Sequence, residues 1–332
     1  MSNSSTMRAL VVESHGGPFR LAQIPLPQPG HGQVLVRIKA SGVNPLDTKI
    51  RAGNAEHARH PLPAILGMDL AGTVEAVGAG VLTFKRGDEV YGMTGGIGGV
   101  QGSLAEYAAV DADLLALKPH NLSMREAAAL PLAFITAWEG LVDRANVRAG
   151  QKVLVHGGAG GVGSIAVQIA HGLGADVFAT ESAEKTALVE QLGAKALDYR
   201  KVPVEQYVKD HTDGRGFDVV YDTAGGAVLD GSFEAVARHG HVVSSLGWGT
   251  HKLAPLSFRG ASYSGVFTLL PILTGIGRQH HGAIMTEATR LVEAGKVRPV
   301  MDPRRFVLST ASDAHAAVES GSAIGKIVVE ID

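Results

Sequence analysis

Cysteine is absent from the 332 residues. That single absence removes disulfides, thiolate metal ligands and cysteine nucleophiles. An excess of one charge is also missing: the formal net charge is −2, which leaves no electrostatic footprint for nucleic acid or an anionic membrane. Long hydrophobic runs are lacking too. The most apolar window, AAALPLAFITAW (127–138), is broken by Pro131 and stops at Glu139, short of the roughly 18 residues a membrane-spanning helix needs. The opening MSNSSTM has neither the basic nor the hydrophobic region of a signal peptide. It reads as a functional start at Met7 behind a frayed extension, and the expected compartment is the cytoplasm. Fourteen histidines are present, but the pairs His57/His60, His239/His241 and His280/His281 lack metal-site spacing and read as exposed loop residues.

What is present divides in two. The length favours two domains over one core, and 45% hydrophobic with 19% charged residues fits a folded globular chain. In the first 125 residues, RALVVE (8–13), QVLVRIKASGV (33–43), LAGTVEAVG (70–78), DEVYGM (88–93) and LAEYAAVDADLLALKP (104–119) alternate apolar and polar positions between Gly and Pro, as short antiparallel strands do. GMTGGIGGVQG (92–102) has six glycines and no helix after it, and reads as a flexible surface loop. From about residue 126, strand-like runs alternate with helical patterns: VLVH (153–156), DVFAT (176–180), KALDY (195–199), FDVVYD (217–222) and HVVSSLG (241–247). Such alternation specifies a parallel sheet covered by helices on both faces. The helical IMTEATRLVEAG (284–295) and the strand-like GKIVVEI (325–331) return to a different texture. The order predicts an α/β chain in which a doubly wound Rossmann domain, 126–265, interrupts a β-rich domain made of 1–125 and 266–332.

Gly158-Ala159-Gly160-Gly161-Val162-Gly163 follows a strand and opens a helix, the context in which G-x-G-x-x-G binds a dinucleotide. The first glycine is expected to permit a tight turn, the second to let backbone approach a pyrophosphate, and the third to let helix pack on sheet. Val162, Ile165, Ile169 and Leu173 fall on one side of that helix. Its free N–H groups and positive dipole end would face the phosphates. The next strand-like run ends at Thr180 and is followed by Glu181, placed as the acid that binds ribose hydroxyls in NAD sites. Glu181 would repel a 2′-phosphate, whereas Ser182, Lys185, Tyr199 and Arg200 would donate to one. The balance favours NADP(H) over NAD(H).

Together with SGVNPLDTKIRAG (41–53), LGMDLAGTVEAVG (66–78), GSLAEYAAV (102–110), AALPLAFITAW (128–138) and FDVVYDTAGG (217–226), these motifs resemble the medium-chain dehydrogenase/reductase superfamily, in its zinc-free quinone oxidoreductase branch. The resemblance runs from Met7 to the end. It implies a GroES-like catalytic domain around the Rossmann domain, with the active site in the cleft between them. Zinc-using members of the superfamily place cysteines at Asn44 and near Leu132, and a histidine at Met68. An amide, a leucine and a thioether do not replace that set, so no zinc is expected.

Without a Lewis acid the acceptor must already be electrophilic: a quinone or an enal or enone, reduced by hydride from the nicotinamide. The resemblance places Asn44, Asp47, Lys49 and Thr136 at the catalytic site, with Asn44 as a hydrogen-bond donor. Lys49 stands where the quinone reductases have tyrosine and points toward enones, steadying enolate charge or handing over a proton. Gly247, Val266 and Phe267 are implied as the backbone that holds the nicotinamide amide. GASYSGVF (260–267) is implied as the edge strand of a homodimer. A nucleotide-binding redox sensor with little catalysis and an enoyl-thioester reductase are the competing readings.

Overall fold

A computed structural model of the chain describes residues 5–332. The expectation of a frayed extension before Met7 falls largely outside those residues, and it fails for the two it does reach. The first strand begins at Thr6, and the Ser5 carbonyl accepts the Leu26 N–H at 2.9 Å.

The chain forms two compact units. One comprises the residues up to Leu132, Leu269–Gly295 and Pro299–Asp332; the other comprises Ala133–Thr268 and Lys296–Arg298. The change of unit comes at 133 rather than 126 because the Met124–Ala128 helix packs on the first unit. A Cβ on Gly42 would lie 2.2 Å from the Ala128 carbonyl oxygen. Residues 296–298 return to the second unit, where the buried Gln168 amide bonds both the N–H and the carbonyl of Arg298, at 2.9 and 3.0 Å.

The first unit is GroES-like. The long Gln33–Val43 strand pairs antiparallel with Asp69–Val77, Tyr107–Asp111 and Ile327–Glu330, so three distant stretches of chain meet on it. A three-stranded sheet holds Thr6–Val12 between Phe19–Pro25 and Ala64–Ile65. Phe19–Pro25 has no alternation of its own, since only Ala22 is buried. The glycine-rich stretch 92–102 is not a flexible surface loop. Gly92 to Ile97 and Gly102 are buried, and only Gly98 and Gly99 are exposed. The glycines are there for space: a Cβ on Gly95 would sit 2.0 Å from the Gln101 carbonyl oxygen, and one on Gly96 would sit 2.7 Å from that of Gly67.

The second unit is a six-stranded sheet, parallel throughout. Its order is Lys195–Asp198, Asp176–Glu181, Lys152–His156, Phe217–Asp222, Val236–Ser244, Ser262–Gly265. This is the doubly wound order, whose switch point falls between Lys152–His156 and Phe217–Asp222. Leu154, Phe178, Phe217, Val220, Phe233 and Val242 form its core. The Gly161–Gly172 helix is buried over all of 163–170 and not on one stripe, while Leu173, expected on the buried side, is 37% exposed just past its end. His281 also departs from expectation: it is fully buried on the inner face of the Arg278–Glu293 helix.

Candidate functional site

In the second unit the strand register aligns Glu181 with Asp198, Thr180 with His156, His156 with Asp222, Asp222 with Ser244, and Ser244 with Gly265. This row is the carboxyl edge of the sheet, where open α/β folds bind ligands. The expected cofactor residues in the second unit start just beyond it.

The glycine loop is hung from the neighbouring strand: Gly157 and Gly158 both donate to the Thr180 carbonyl, at 3.1 and 3.2 Å. The positive φ of the turn falls on Gly157 (+75°), one residue before the motif. Gly158 instead answers to packing, because a Cβ there would be 2.5 Å from Ala179 Cβ. Gly163 allows the closest approach, 2.0 Å from such a Cβ to the Gly157 carbonyl oxygen. Gly160 caps the helix with extended backbone. The N–H groups of Gly161, Val162 and Gly163 precede the first intrahelical bond, Ser164 to Gly160, and are the donors available to a pyrophosphate.

Glu181 is bonded to the glycine loop and to its own successor. One carboxylate oxygen accepts the Ala159 N–H at 2.9 Å and the other accepts the Ser182 N–H at 3.0 Å. Ser182 is buried and bonded to Glu184, whereas Lys185, Tyr199 and Arg200 are exposed. The Arg200 guanidinium lies 5.7 Å from the Tyr199 ring centroid and 3.8 Å from Glu184. Ser182, Glu184, Arg200 and Tyr199 are thus linked by contacts, and Lys185 follows Glu184 in the chain.

At the far end of the row, Asp222 accepts from Ala224 N–H, Gly225 N–H and the Ser244 hydroxyl at 3.0, 2.9 and 2.7 Å. The Val266 N–H bonds the Ser244 carbonyl at 2.9 Å. A Cβ on Gly247 would lie 2.2 Å from Tyr263 Oη, so any larger residue there would have to displace that partly exposed tyrosine. Phe267 meets Trp248 edge-on at 6.3 Å. Thr136 is buried and its hydroxyl is 3.0 Å from that of Thr268, which donates to Glu139 at 3.2 Å. Thr268 and Glu139 were not anticipated. Burial pushes His156 down to about 4, against the pull of Asp222, so its imidazole is neutral.

The first unit holds the other expected residues. Asn44 caps the Pro45–Ala52 helix, and its N–H donates to Asp47 Oδ2 at 2.8 Å. Both side chains are buried. Asn44 Nδ2 donates to Asp69 Oδ2 at 2.9 Å, Asp69 Oδ1 accepts the Leu132 N–H at 2.9 Å, and the Lys326 ammonium donates to Asn44 Oδ1. Lys49 is separate from this cluster, exposed on the last turn of the helix. Asp69 and Lys326 were missed because each opens an apolar strand, where a lone charge reads as a solvated end; only the strand pairing brings them together.

The family profile described as "Zinc-binding dehydrogenase" matches residues 192–329, and that described as "Alcohol dehydrogenase GroES-like domain" matches 30–120. The chain is 39% identical to the chloroplastic NADPH-dependent alkenal/one oxidoreductase of Arabidopsis thaliana, over 97% of this chain and 79% of that protein. It is 32% identical to the quinone oxidoreductase of Sus scrofa, over 97% of each. The crystal structure of an alcohol dehydrogenase superfamily protein from Novosphingobium aromaticivorans superposes with a TM-score of 0.97 at 57% identity, covering 98% of this chain and 100% of that one. The chain belongs to the quinone oxidoreductase-like branch of the medium-chain dehydrogenase/reductase superfamily. The zinc in the first profile's description can be tested on the residues of this medium-chain reductase. Asn44 has an amide committed to Lys326 and Asp69, Met68 offers a fully buried thioether, and Leu132 has no side-chain donor. Among the described residues no group of three or more His, Cys, Asp or Glu is placed to hold a metal ion. This donor set does not fit zinc.

Proposed function

We propose that this medium-chain reductase is a zinc-independent, NADP(H)-dependent reductase of activated alkenes, enals and enones above all, with quinones as further acceptors. The observation that carries the reading is that Asn44, at one position where the resemblance puts a zinc ligand, has its amide held by Lys326 and Asp69, while Asp69 also accepts the N–H of Leu132, at another. A site without a Lewis acid needs an acceptor whose conjugated carbonyl already polarises the double bond. The names of the Arabidopsis and Sus scrofa relatives agree with such acceptors. The choice of NADP(H) is supported by the name of the Arabidopsis relative, by Ser182, Lys185, Tyr199 and Arg200 as candidate phosphate donors, and by a Glu181 carboxylate bonded to the Ala159 and Ser182 N–H groups.

When bound, the dinucleotide would supply a hydride to the conjugated carbon of the acceptor, whose carbonyl oxygen would take up the displaced electron pair. The residues of the chain orient and complete that step. The Gly161, Val162 and Gly163 N–H groups would hold the pyrophosphate. Thr136 and the Val266–Phe267 backbone fix the nicotinamide ring. Lys49 steadies the enolate oxygen or returns a proton to the α-carbon. Nicotinamide absorbance followed with panels of enones, enals and quinones, in chelator-treated protein, tests the reading. Turnover of NADPH with an enone is expected; inertness toward every acceptor, or dependence on added divalent metal, would refute it.

A homodimer belongs to the same proposal. Ser262–Gly265 is the edge of the six-stranded sheet, and Trp248, Leu253 and Phe258 stand exposed in the same unit. An unpaired edge beside apolar surface is a template for a second copy. The Val266 N–H points inward to the Ser244 carbonyl, so the alternate Gly265 N–H faces the open edge, and light scattering on the parent and on Gly265→Pro is expected to give two chains and one; a monomeric parent would overturn it. The cytoplasm is the proposed compartment, which cell fractionation tests.

A further inference from the structure

Lys326 opens the Ile327–Glu330 strand with its backbone fixed on both sides: its N–H bonds the Val300 carbonyl at 2.7 Å, and its carbonyl accepts the Asp302 N–H at 3.0 Å. The side chain turns inward and is only 10% exposed. Its ammonium bonds Asn44 Oδ1, lies 3.4 Å from the Val43 carbonyl oxygen and 3.8 Å from Asp69 Oδ2. A buried cation on an amide oxygen settles the orientation of that amide, with Oδ1 toward Lys326 and Nδ2 toward Asp69. Asp69 in turn holds the Leu132 N–H at the start of the Pro131–Trp138 helix. One charge thus ties together the C-terminal strand, the Asn44 turn, the Asp69 strand and the first turn of a helix.

We propose that Lys326 is a positioning residue: a fixed internal cation that gathers the Asn44 turn, Asp69 and the Leu132 N–H into one arrangement, by charge where zinc-using relatives use metal ligation. The charged groups acting on it are Asp69, at the start of the Asp69–Val77 strand, and Asp47, from the Pro45–Ala52 helix. Arg125, on the Met124–Ala128 helix, donates instead to the carbonyls of Asp302 and Arg304. Two buried carboxyl groups face one ammonium, and Asp47 Oδ1 has no hydrogen-bond partner. The cluster is electrically balanced when Asp47 holds a proton, and burial favours that form.

The test compares Lys326→Met with Lys326→Met/Asp69→Asn and the parent. Its activity arm rests on the proposed reductase reading; its stability arm does not, so the two fail separately. Without the cation, Asp47 and Asp69 both ionise against burial as pH rises. Lys326→Met is therefore expected to lose about 5 °C or more of Tm between pH 6 and pH 9 relative to the parent. The double variant removes a charge of each sign and is expected to recover most of that loss. For an enone, kcat of Lys326→Met is expected to fall about tenfold with the Kd for NADPH changed less than about twofold. A Tm offset that is the same at every pH would mean that Lys326 only fills space, and would overturn the proposal. If Lys326→Met does not fold, a folded double variant supports the charge role and an unfolded one refutes it. A parent that reduces no acceptor removes the reductase reading and leaves the pH-dependent Tm to decide on Lys326.

Discussion

Gly163→Ala sets two physical effects against each other. Gly163 lies in the first turn of the Gly161–Gly172 helix, and replacing glycine by alanine within a helix ordinarily gains about 1 kcal/mol. Here the new Cβ would be 2.0 Å from the Gly157 carbonyl oxygen and 2.8 Å from its carbon. A carbon–oxygen contact needs about 3.3 Å, so the turn must retreat by more than an ångström. Gly157 and Gly158 are held at 3.1 and 3.2 Å from the Thr180 carbonyl oxygen, and retreat breaks both bonds, at about 1 kcal/mol each. Overpacking adds about 1–3 kcal/mol. The net effect is destabilisation by about 2–4 kcal/mol, a fall in Tm of roughly 3–6 °C for a chain of this length. The loop N–H groups move with the turn, so the Kd for NADPH, read by fluorescence titration, is expected to rise about tenfold or more. Calorimetry gives the sign directly. A higher Tm with unchanged NADPH affinity would mean helix propensity wins, and the close-packing account of this loop would be wrong.

Three further changes probe the rest of the site. Glu181→Ala removes the acceptor of the Ala159 and Ser182 N–H groups, so NADPH and NADH affinities are expected to fall together by about fivefold; a selective gain for NADPH in paired titrations would place Glu181 at the 2′ position instead. Lys49→Met is expected to lower kcat for enones about a hundredfold, the scale of general acid catalysis, with NADPH affinity intact; unchanged kcat would make Lys49 a surface lysine. Burial pushes Asp47 up to about 7, opposed by the Asn44 N–H and aided by Asp69. Its protonated form is favoured in the fold, so its stabilisation is complete below the ordinary carboxylate value and is lost as pH rises through about 7. Asp47→Asn keeps an acceptor for the Asn44 N–H and never ionises. Its stability relative to the parent is therefore expected to grow by about 2–4 kcal/mol between pH 5 and pH 8. Burial holds His156 and His315 neutral, at about 4 and about 3, and they lose stability as pH falls through the ordinary imidazole range. The difference between variant and parent isolates Asp47, and a flat difference would show that its carboxyl is not desolvated.

The sheet of the second unit was legible because each strand carries its own apolar run and each crossover its own helical pattern. The glycine loop was legible for the same local reason. What failed was non-local. The stretch 92–102 looks solvated in isolation, yet its glycines are required by backbones at Gly67 and Gln101. Phe19–Pro25 is a strand only because Thr6–Val12 lies beside it. The Lys326–Asn44 bond joins residues nearly the length of the chain apart, and no window of sequence contains both.

The central claim is that hydride passes from NADPH to a conjugated carbon with no metal assisting. The most direct measurement is reduction of an enone with NADPH deuterated at the transferable C4 position, in protein whose metal content is measured in the same sample. Deuterium at the β-carbon of the product, with metal far below one ion per chain and rates unaffected by chelator, is the result expected. Deuterium absent from that carbon, or turnover that rises and falls with a bound divalent ion, would contradict the account.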